Sequence, residues 1–96
     1  MRMNEGKILY DIEVYTNYFC VGIENYVTKQ KTFYEICEEV NDIHKINNYF
    51  NTFNGFLISF NGIHYDNMVI KYIIQNYHKL KYLNYIDICI QLKYLS

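Results

Sequence analysis

The sequence predicts an α/β fold in which a mixed sheet of three or four strands packs against helices. The first third of the chain is rich in β-branched residues and alternates apolar with polar ones, as strands do. The middle and the end repeat apolar residues at spacings of three and four, as amphipathic helices do. At 96 residues with 51% hydrophobic content, residues 1–96 should form one domain around one core.

Three strands are predicted at the start of the chain. Residues 7–14 (KILYDIEV) are apolar except for carboxylates at alternate positions, which is typical of a strand that is buried except where it meets a site. Residues 18–24 follow after a short turn, and so short a separation predicts an antiparallel hairpin. Residues 27–33 are more polar and are expected to form a third strand at the edge of the sheet.

A first helix is predicted from Thr32, because Thr32 and Glu35 have the spacing of a capping box. Its apolar stripe contains the following residues: Ile36, Val40, Ile43, Ile46 and Phe50. Residues 56–60 (FLISF) are a short apolar run of the kind that forms a central parallel strand. A second helix follows with Val69, Ile70, Ile73, Ile74 and Tyr77 on one face, so the order is βββαβα. Residues 79–96 suit a strand or a helix, and the helix is favoured.

Charge and cysteine content narrow the class of protein. The net charge of −1 provides no global attraction for a polyanion, so any contact with nucleic acid must be local. Cys20, Cys37 and Cys89 lack metal or disulfide spacing and are expected to be buried thiols of a reducing cytosol. No leader or membrane span is recognisable, which predicts a cytoplasmic protein, and the AT-rich coding bias fits a bacterial host or its phage.

Asp11 and Glu13 are the first candidate site residues. Because the two residues are two positions apart on a predicted strand, their side chains emerge on the same face. Both carboxylates are then within reach of a common Mg²⁺ or Mn²⁺. Such pairs also occur by chance on exposed strands, but the apolar flanks here make two purposeless carboxylates costly. Asp66 follows an apolar strand and an Asn61-Gly62 turn at the start of a helix, where Asp is also a common helix cap.

The two segments together resemble the DnaQ-like, or DEDD, 3′→5′ exonucleases of the ribonuclease-H-like fold, in particular the proofreading domain of phage-type family B DNA polymerases. The D-x-E is at Asp11 and Glu13, the N-x-x-x-(F/Y)-D segment runs from Asn61 to Asp66, and the resemblance covers residues 7–78. It implies a truncated ribonuclease-H-like core with Asp11, Glu13 and Asp66 as catalytic, metal-binding carboxylates. It also implies that Asn61 holds the substrate and that Tyr65 or Tyr15 stacks on the terminal base.

The sequence departs from this family after the second motif. The fourth carboxylate and general base should lie in a third motif, but only thirty residues follow Asp66, and Asp87 does not fit the pattern. A weak Mg²⁺ or Mn²⁺ site would be all that is left. The favoured function is therefore a non-catalytic, phage- or prophage-derived protein that binds single-stranded nucleic acid or a nucleic-acid-processing enzyme, for example as an anti-CRISPR inhibitor. The alternative is a 3′→5′ exonuclease, or a fragment of a proofreading domain, whose missing carboxylate comes from a second copy or another chain.

Overall fold

The computed structural model describes residues 7–53, 56–59 and 64–95. Its elements follow one another in the order β1 (Lys7–Tyr15), β2 (Tyr18–Asn25), β3 (Lys31–Ile36), α1 (Ile43–Thr52), β4 (Phe56–Ser59), α2 (His64–Leu80) and α3 (Tyr85–Lys93). The predicted α/β class is confirmed, and so is the helix favoured for the end of the chain. No helix in these ranges is long and apolar enough to cross a membrane.

The four strands form one mixed sheet in the order β3-β2-β1-β4. The β1–β2 pair is the predicted hairpin, in which Tyr15 pairs with Tyr18 across a two-residue turn and Asp11 pairs with Gly22. β2 and β3 are also antiparallel, whereas β1 and β4 are parallel. Since β1 has a neighbour on each side, the strand that carries the D-x-E is central in the sheet.

The connection from β2 to β3 is a compact loop held by its first residue. The Asn25 side-chain oxygen accepts hydrogen bonds from the backbone N–H groups of Val27 and Thr28, both at 2.9 Å. Lys29 then adopts a left-handed conformation with φ of 65°. The Asn25 N–H donates a hydrogen bond to the Gln30 carbonyl at 2.9 Å. This loop sets the register of β3, in which Phe33 pairs with Gly22.

The helix predicted from Thr32 is wrong at its start. Thr32 and Glu35 lie in β3, and α1 begins only at Ile43. The Glu35 N–H donates to the Asp42 carboxylate at 2.9 Å, and the Asp42 N–H donates to the Glu35 carbonyl at 2.8 Å. Six paired residues of β3 therefore outcompete a single local capping interaction. The third strand is confirmed in kind but lies at residues 31–36 rather than 27–33, and Val40 is exposed outside the helix.

All three helices pack on one face of the sheet. One buried cluster joins the inward side chains of β1 and β2 to apolar residues of every helix. The helices contribute Ile43, Ile46, Phe50, Val69, Ile70, Ile73, Leu80, Ile88, Cys89 and Leu92. Cys20 and Cys89 are the buried thiols expected, whereas Cys37 is half-buried. The molecule thus has two layers, and the second face of the sheet is left without a helical cover in the part of the chain described.

The helical layer is tied together by a few polar contacts. Asn84 caps α3 by accepting the Asp87 N–H at 2.9 Å, and the Tyr72 hydroxyl of α2 donates to Gln91 of α3 at 2.8 Å. At the other side of α2, the Tyr77 hydroxyl meets His44 Nδ1 of α1. These bonds link α2 to both α1 and α3.

Candidate functional site

The uncovered side of the sheet, called the open face here, is built from alternate residues of three strands. Cross-strand pairing brings their side chains to the same side. The residues are Lys7, Leu9, Asp11, Glu13 and Tyr15 of β1, Tyr18, Cys20, Gly22 and Glu24 of β2, and Lys31, Phe33 and Glu35 of β3. On β1, these residues are exposed or half-buried, whereas the residues between them are buried.

Asp11 and Glu13 both lie on the open face, as their spacing predicts. Asp11 is half-buried and Glu13 is exposed. The Tyr15 hydroxyl, on the same face, donates to Glu13 Oε1 at 3.2 Å. This hydrogen bond and the charge of Glu13 raise the pKa of Tyr15. Tyr15 is therefore engaged by a carboxylate of the D-x-E itself, while half of its surface stays exposed.

A row of three paired residues, two of them glutamates, crosses the open face next to Asp11. Glu13, Cys20 and Glu35 are paired residues on β1, β2 and β3. The Tyr18 hydroxyl donates to Glu35 Oε2 at 2.7 Å, and this bond raises the pKa of Tyr18. Burial raises the pKa of the Cys20 thiol between the two carboxylates. The row consequently holds a neutral thiol between the side chains of Glu13 and Glu35.

A groove of about 370 Å³ runs across the centre of the open face, over Gly22. Its lining residues are Leu9, Asp11, Gly22, Ile23, Glu24, Lys31, Thr32 and Phe33. Phe33 lies opposite Gly22, and a Cβ placed on Gly22 would touch the Phe33 ring at 3.9 Å. Phe33 is 56% exposed. The groove therefore combines an aromatic wall, a glycine floor and the carboxylates of Asp11 and Glu24.

Asp66 has a different environment from Asp11 and Glu13. It lies in the first turn of α2 and is only 3% exposed. Burial, and then the nearby charge of Asp66, raise the pKa of Tyr10 to about 12. The Tyr10 hydroxyl, which is on the helical side of the sheet, donates to Asn67 Oδ1. Asp66 thus approaches the sheet from the helical layer.

Asn61, Tyr65 and the metal site were also predicted from the sequence. Asn61 lies outside the described residues, and Tyr65 belongs to the first turn of α2. Among the side chains of residues 7–53 and 66–95, no group of three or more His, Cys, Asp or Glu could hold a metal ion. The three-carboxylate site of Asp11, Glu13 and Asp66 stays a prediction.

Charge differs between the part of the chain that leads up to α1 and the part that follows. Residues 7–42, which contain β1 to β3, carry seven acidic residues and three lysines, for a net charge of −4. Residues 43–95, which contain the helices, carry two acidic residues and five lysines, for a net charge of +3. The open face itself has four carboxylates and two lysines. The small net charge of the whole chain conceals this separation.

Sequence reasoning missed Gly22, Phe33 and Glu35 as parts of one surface. The predicted hairpin could have placed Gly22 beside Asp11, because pairing of Tyr15 with Tyr18 fixes that register. Phe33 was predicted at the end of the third strand, but its register was not, and Glu35 was assigned to a helix because Thr32 to Glu35 resembled a helix start.

Chemically, the open face can pair with cations and offer aromatic contact area. These are properties of a recognition surface. The sequence was compared with protein-family models and with curated proteins, and the structure with solved structures, and nothing matches.

Proposed function

We propose that this chain is a non-catalytic, exonuclease-like protein of phage or prophage origin that binds a nucleic-acid-processing enzyme through its open face. The observation that carries the proposal is a sheet face without helical cover on which four carboxylates lie among exposed aromatic residues. Enzymes that process nucleic acid bind phosphates with clustered Lys and Arg. An acidic face complements such a basic surface. The specific role that we propose is inhibition of a host defence nuclease, as by an anti-CRISPR protein.

The strand arrangement supports the exonuclease-like part of the proposal. The sheet order β3-β2-β1-β4, antiparallel through the first three strands and parallel between β1 and β4, is compatible with the ribonuclease-H-like core that the resemblance implies. In the resembled family, the chain after the second motif adds the helices that close the cleft. In the described residues, no helix covers the face that carries the D-x-E.

Charge favours a protein over nucleic acid as the partner of the open face. Asp11, Glu13, Glu24 and Glu35 would repel phosphates, and Lys7 and Lys31 do not offset four carboxylates. An opposing basic surface gains from the same charges, both in encounter rate and in orientation. The lysines that could contact nucleic acid lie mainly in the helical layer.

The alternative is a 3′→5′ exonuclease completed by a second copy or another chain. The shared, solvent-facing placement of Asp11 and Glu13 is the observation in its favour, because an added carboxylate could approach them from outside. Against it stands that residues 67–96 contain no recognisable third motif with its general base, and loss of a general base commonly costs on the order of 10²–10⁴ in rate.

A capture experiment with two charge-matched variants tests the proposal. Glu13→Gln/Glu24→Gln changes the open face and Gln75→Lys/His78→Lys changes the exposed side of α2, and each adds about two positive charges. We expect immobilised wild-type protein to retain a nucleic-acid-processing enzyme from a lysate of the bacterial host. The open-face variant should retain at least tenfold less of this enzyme than the wild type, and the α2 variant should retain as much as the wild type.

Competition distinguishes the expected binding surface from an unrelated one. Single-stranded DNA or RNA should release the captured enzyme, since it competes for the same basic residues, and raised salt should weaken capture. Capture that survives the open-face substitutions but fails in the α2 variant would overturn the proposal.

A nuclease assay tests the alternative. Purified protein with Mn²⁺ and 5′-labelled single-stranded DNA or RNA should produce no ladder of shortened products. Shortening from the 3′ end that disappears in Asp11→Ala would establish the exonuclease instead.

A further inference from the structure

We propose, building on the proposed function, that the groove over Gly22 receives one arginine side chain of the partner enzyme. The groove volume of about 370 Å³ lies within the range of roughly 300–1,000 Å³ typical of small-molecule sites. It is therefore large enough for a long side chain. Its occupant would lie against the Phe33 ring and between the carboxylates of Asp11 and Glu24.

The space exists because of the residue pair at the centre of the open face. Gly22 has no side chain, so the position opposite Phe33 stays empty above the backbone. A larger residue at position 22 would meet the ring at ordinary contact distance and fill this space. The glycine therefore makes the groove, and the exposed ring forms its wall.

The charges around this space favour a cation with several donors. Asp11 pairs with Gly22, and Glu24 lies one row further along β2, so the two carboxylates are diagonal neighbours across the strands. A guanidinium group carries five N–H donors in a plane, which can serve both carboxylates while its face lies on an aromatic ring. Lys31 lies at the rim and is exposed, so its ammonium can remain in water when the groove is occupied.

Other occupants fit less well. A lysine ammonium is a compact, strongly hydrated charge without a planar face to stack. A second copy of this chain would bring four carboxylates of one open face against four of the other. Its sequence also contains a single arginine, Arg2. A partner enzyme with a phosphate-binding surface supplies arginines in number.

The test uses three capped tripeptides, Gly-Arg-Gly, Gly-Lys-Gly and Gly-citrulline-Gly, titrated into ¹⁵N-labelled protein. Citrulline has nearly the shape of arginine without its charge. We expect the arginine peptide to shift the amide signals of Leu9, Gly22 and Phe33 and to saturate at millimolar concentration. The lysine peptide should bind at least threefold more weakly, and the citrulline peptide should cause no shift.

Two variants locate the binding. Gly22→Val should fill the groove and Phe33→Leu should remove its aromatic wall, and either should weaken the arginine peptide at least fivefold. Ile12→Val, on the buried residue of β1 next to Asp11 that faces the helices and does not line the groove, is the control and should bind as the wild type does. If Gly22→Val does not give a dispersed folded spectrum, Phe33→Leu decides the question.

The outcomes separate this inference from the proposed function. Equal binding of arginine and citrulline peptides, shifts confined to other residues, or an unchanged affinity in folded variants would overturn the arginine groove. Arginine binding that needs Gly22 and Phe33, without capture of a nucleic-acid-processing enzyme, would support the groove and reject the proposed partner. Sedimentation of the wild type should give a monomer, and a dimer abolished by Arg2→Gln would assign the groove to a second copy.

Discussion

The two faces of the sheet use the same strands for opposite purposes. On β1, Ile8, Tyr10 and Ile12 are buried beneath the helices, while the residues between them reach the open face. On β2, Val21 is fully buried and its neighbour Gly22 forms the floor of a groove. The helical side is nearly all apolar, and the open face has four carboxylates. Stability should therefore come from one face, and recognition from the other.

The largest expected effect comes from placing the same charge on adjacent residues of β1. Ile8→Asp buries a carboxylate at a fully buried position, which should cost several kcal/mol and unfold a domain of this size. Leu9→Asp places it at the half-buried open face and should cost about 1 kcal/mol. Thermal melts followed by circular dichroism measure both. Equal destabilisation would mean that the two faces do not differ in environment.

Alkaline pH should lower the free energy of unfolding, because Tyr10 is buried on the helical side of the sheet and resists ionisation there. Its pKa is raised from 10.0 to about 12 in the fold, so its neutral form stabilises the folded state fully below pH 10. That contribution is lost as the pH rises from about 10 to 12. Urea unfolding at pH 8 and pH 11 should show a larger fall for the wild type than for Tyr10→Phe. Parallel losses in the two proteins would contradict a Tyr10 contribution.

At neutral pH the two tyrosines of β1 should respond differently to loss of the hydroxyl. Tyr10→Phe removes a buried donor to Asn67 and should cost about 1 kcal/mol. Tyr15→Phe removes an exposed bond to Glu13 and should change the free energy of unfolding by less than about 0.5 kcal/mol. Urea titrations of both variants and the wild type compare the two values. A greater cost for Tyr15→Phe would assign the open face a structural role.

The smallest effect is expected from neutralising open-face carboxylates. Glu13→Gln/Glu24→Gln should leave the free energy of unfolding within about 0.5 kcal/mol of the wild type, because surface charges of like sign contribute little to stability. Chemical denaturation provides the value. A loss above about 2 kcal/mol would show that these carboxylates hold the fold, and their loss of partner capture would then not report on recognition.

Local patterns predicted much of the fold because their interactions are local too. The β1–β2 hairpin needed only two apolar strands and a short turn, and the buried stripe of Ile43, Ile46 and Phe50 followed from helical spacing. The start of α1 was missed because a capping box and a strand compete for the same residues. The choice between them depends on β2, to which β3 is hydrogen-bonded.

By itself the sequence determined that Asp11 and Glu13 share a face, because side chains alternate along any strand. It also determined that helices cover part of the sheet, since their apolar stripes must be buried. Only the tertiary structure decided that Phe33 faces Gly22, because the loop from Asn25 to Gln30 sets that register. It alone decided that Asp66 lies buried near Tyr10 while Asp11 and Glu13 face outward. Helix spacing indicates which residues are buried, but the side of the sheet on which a helix packs depends on contacts far apart in the chain.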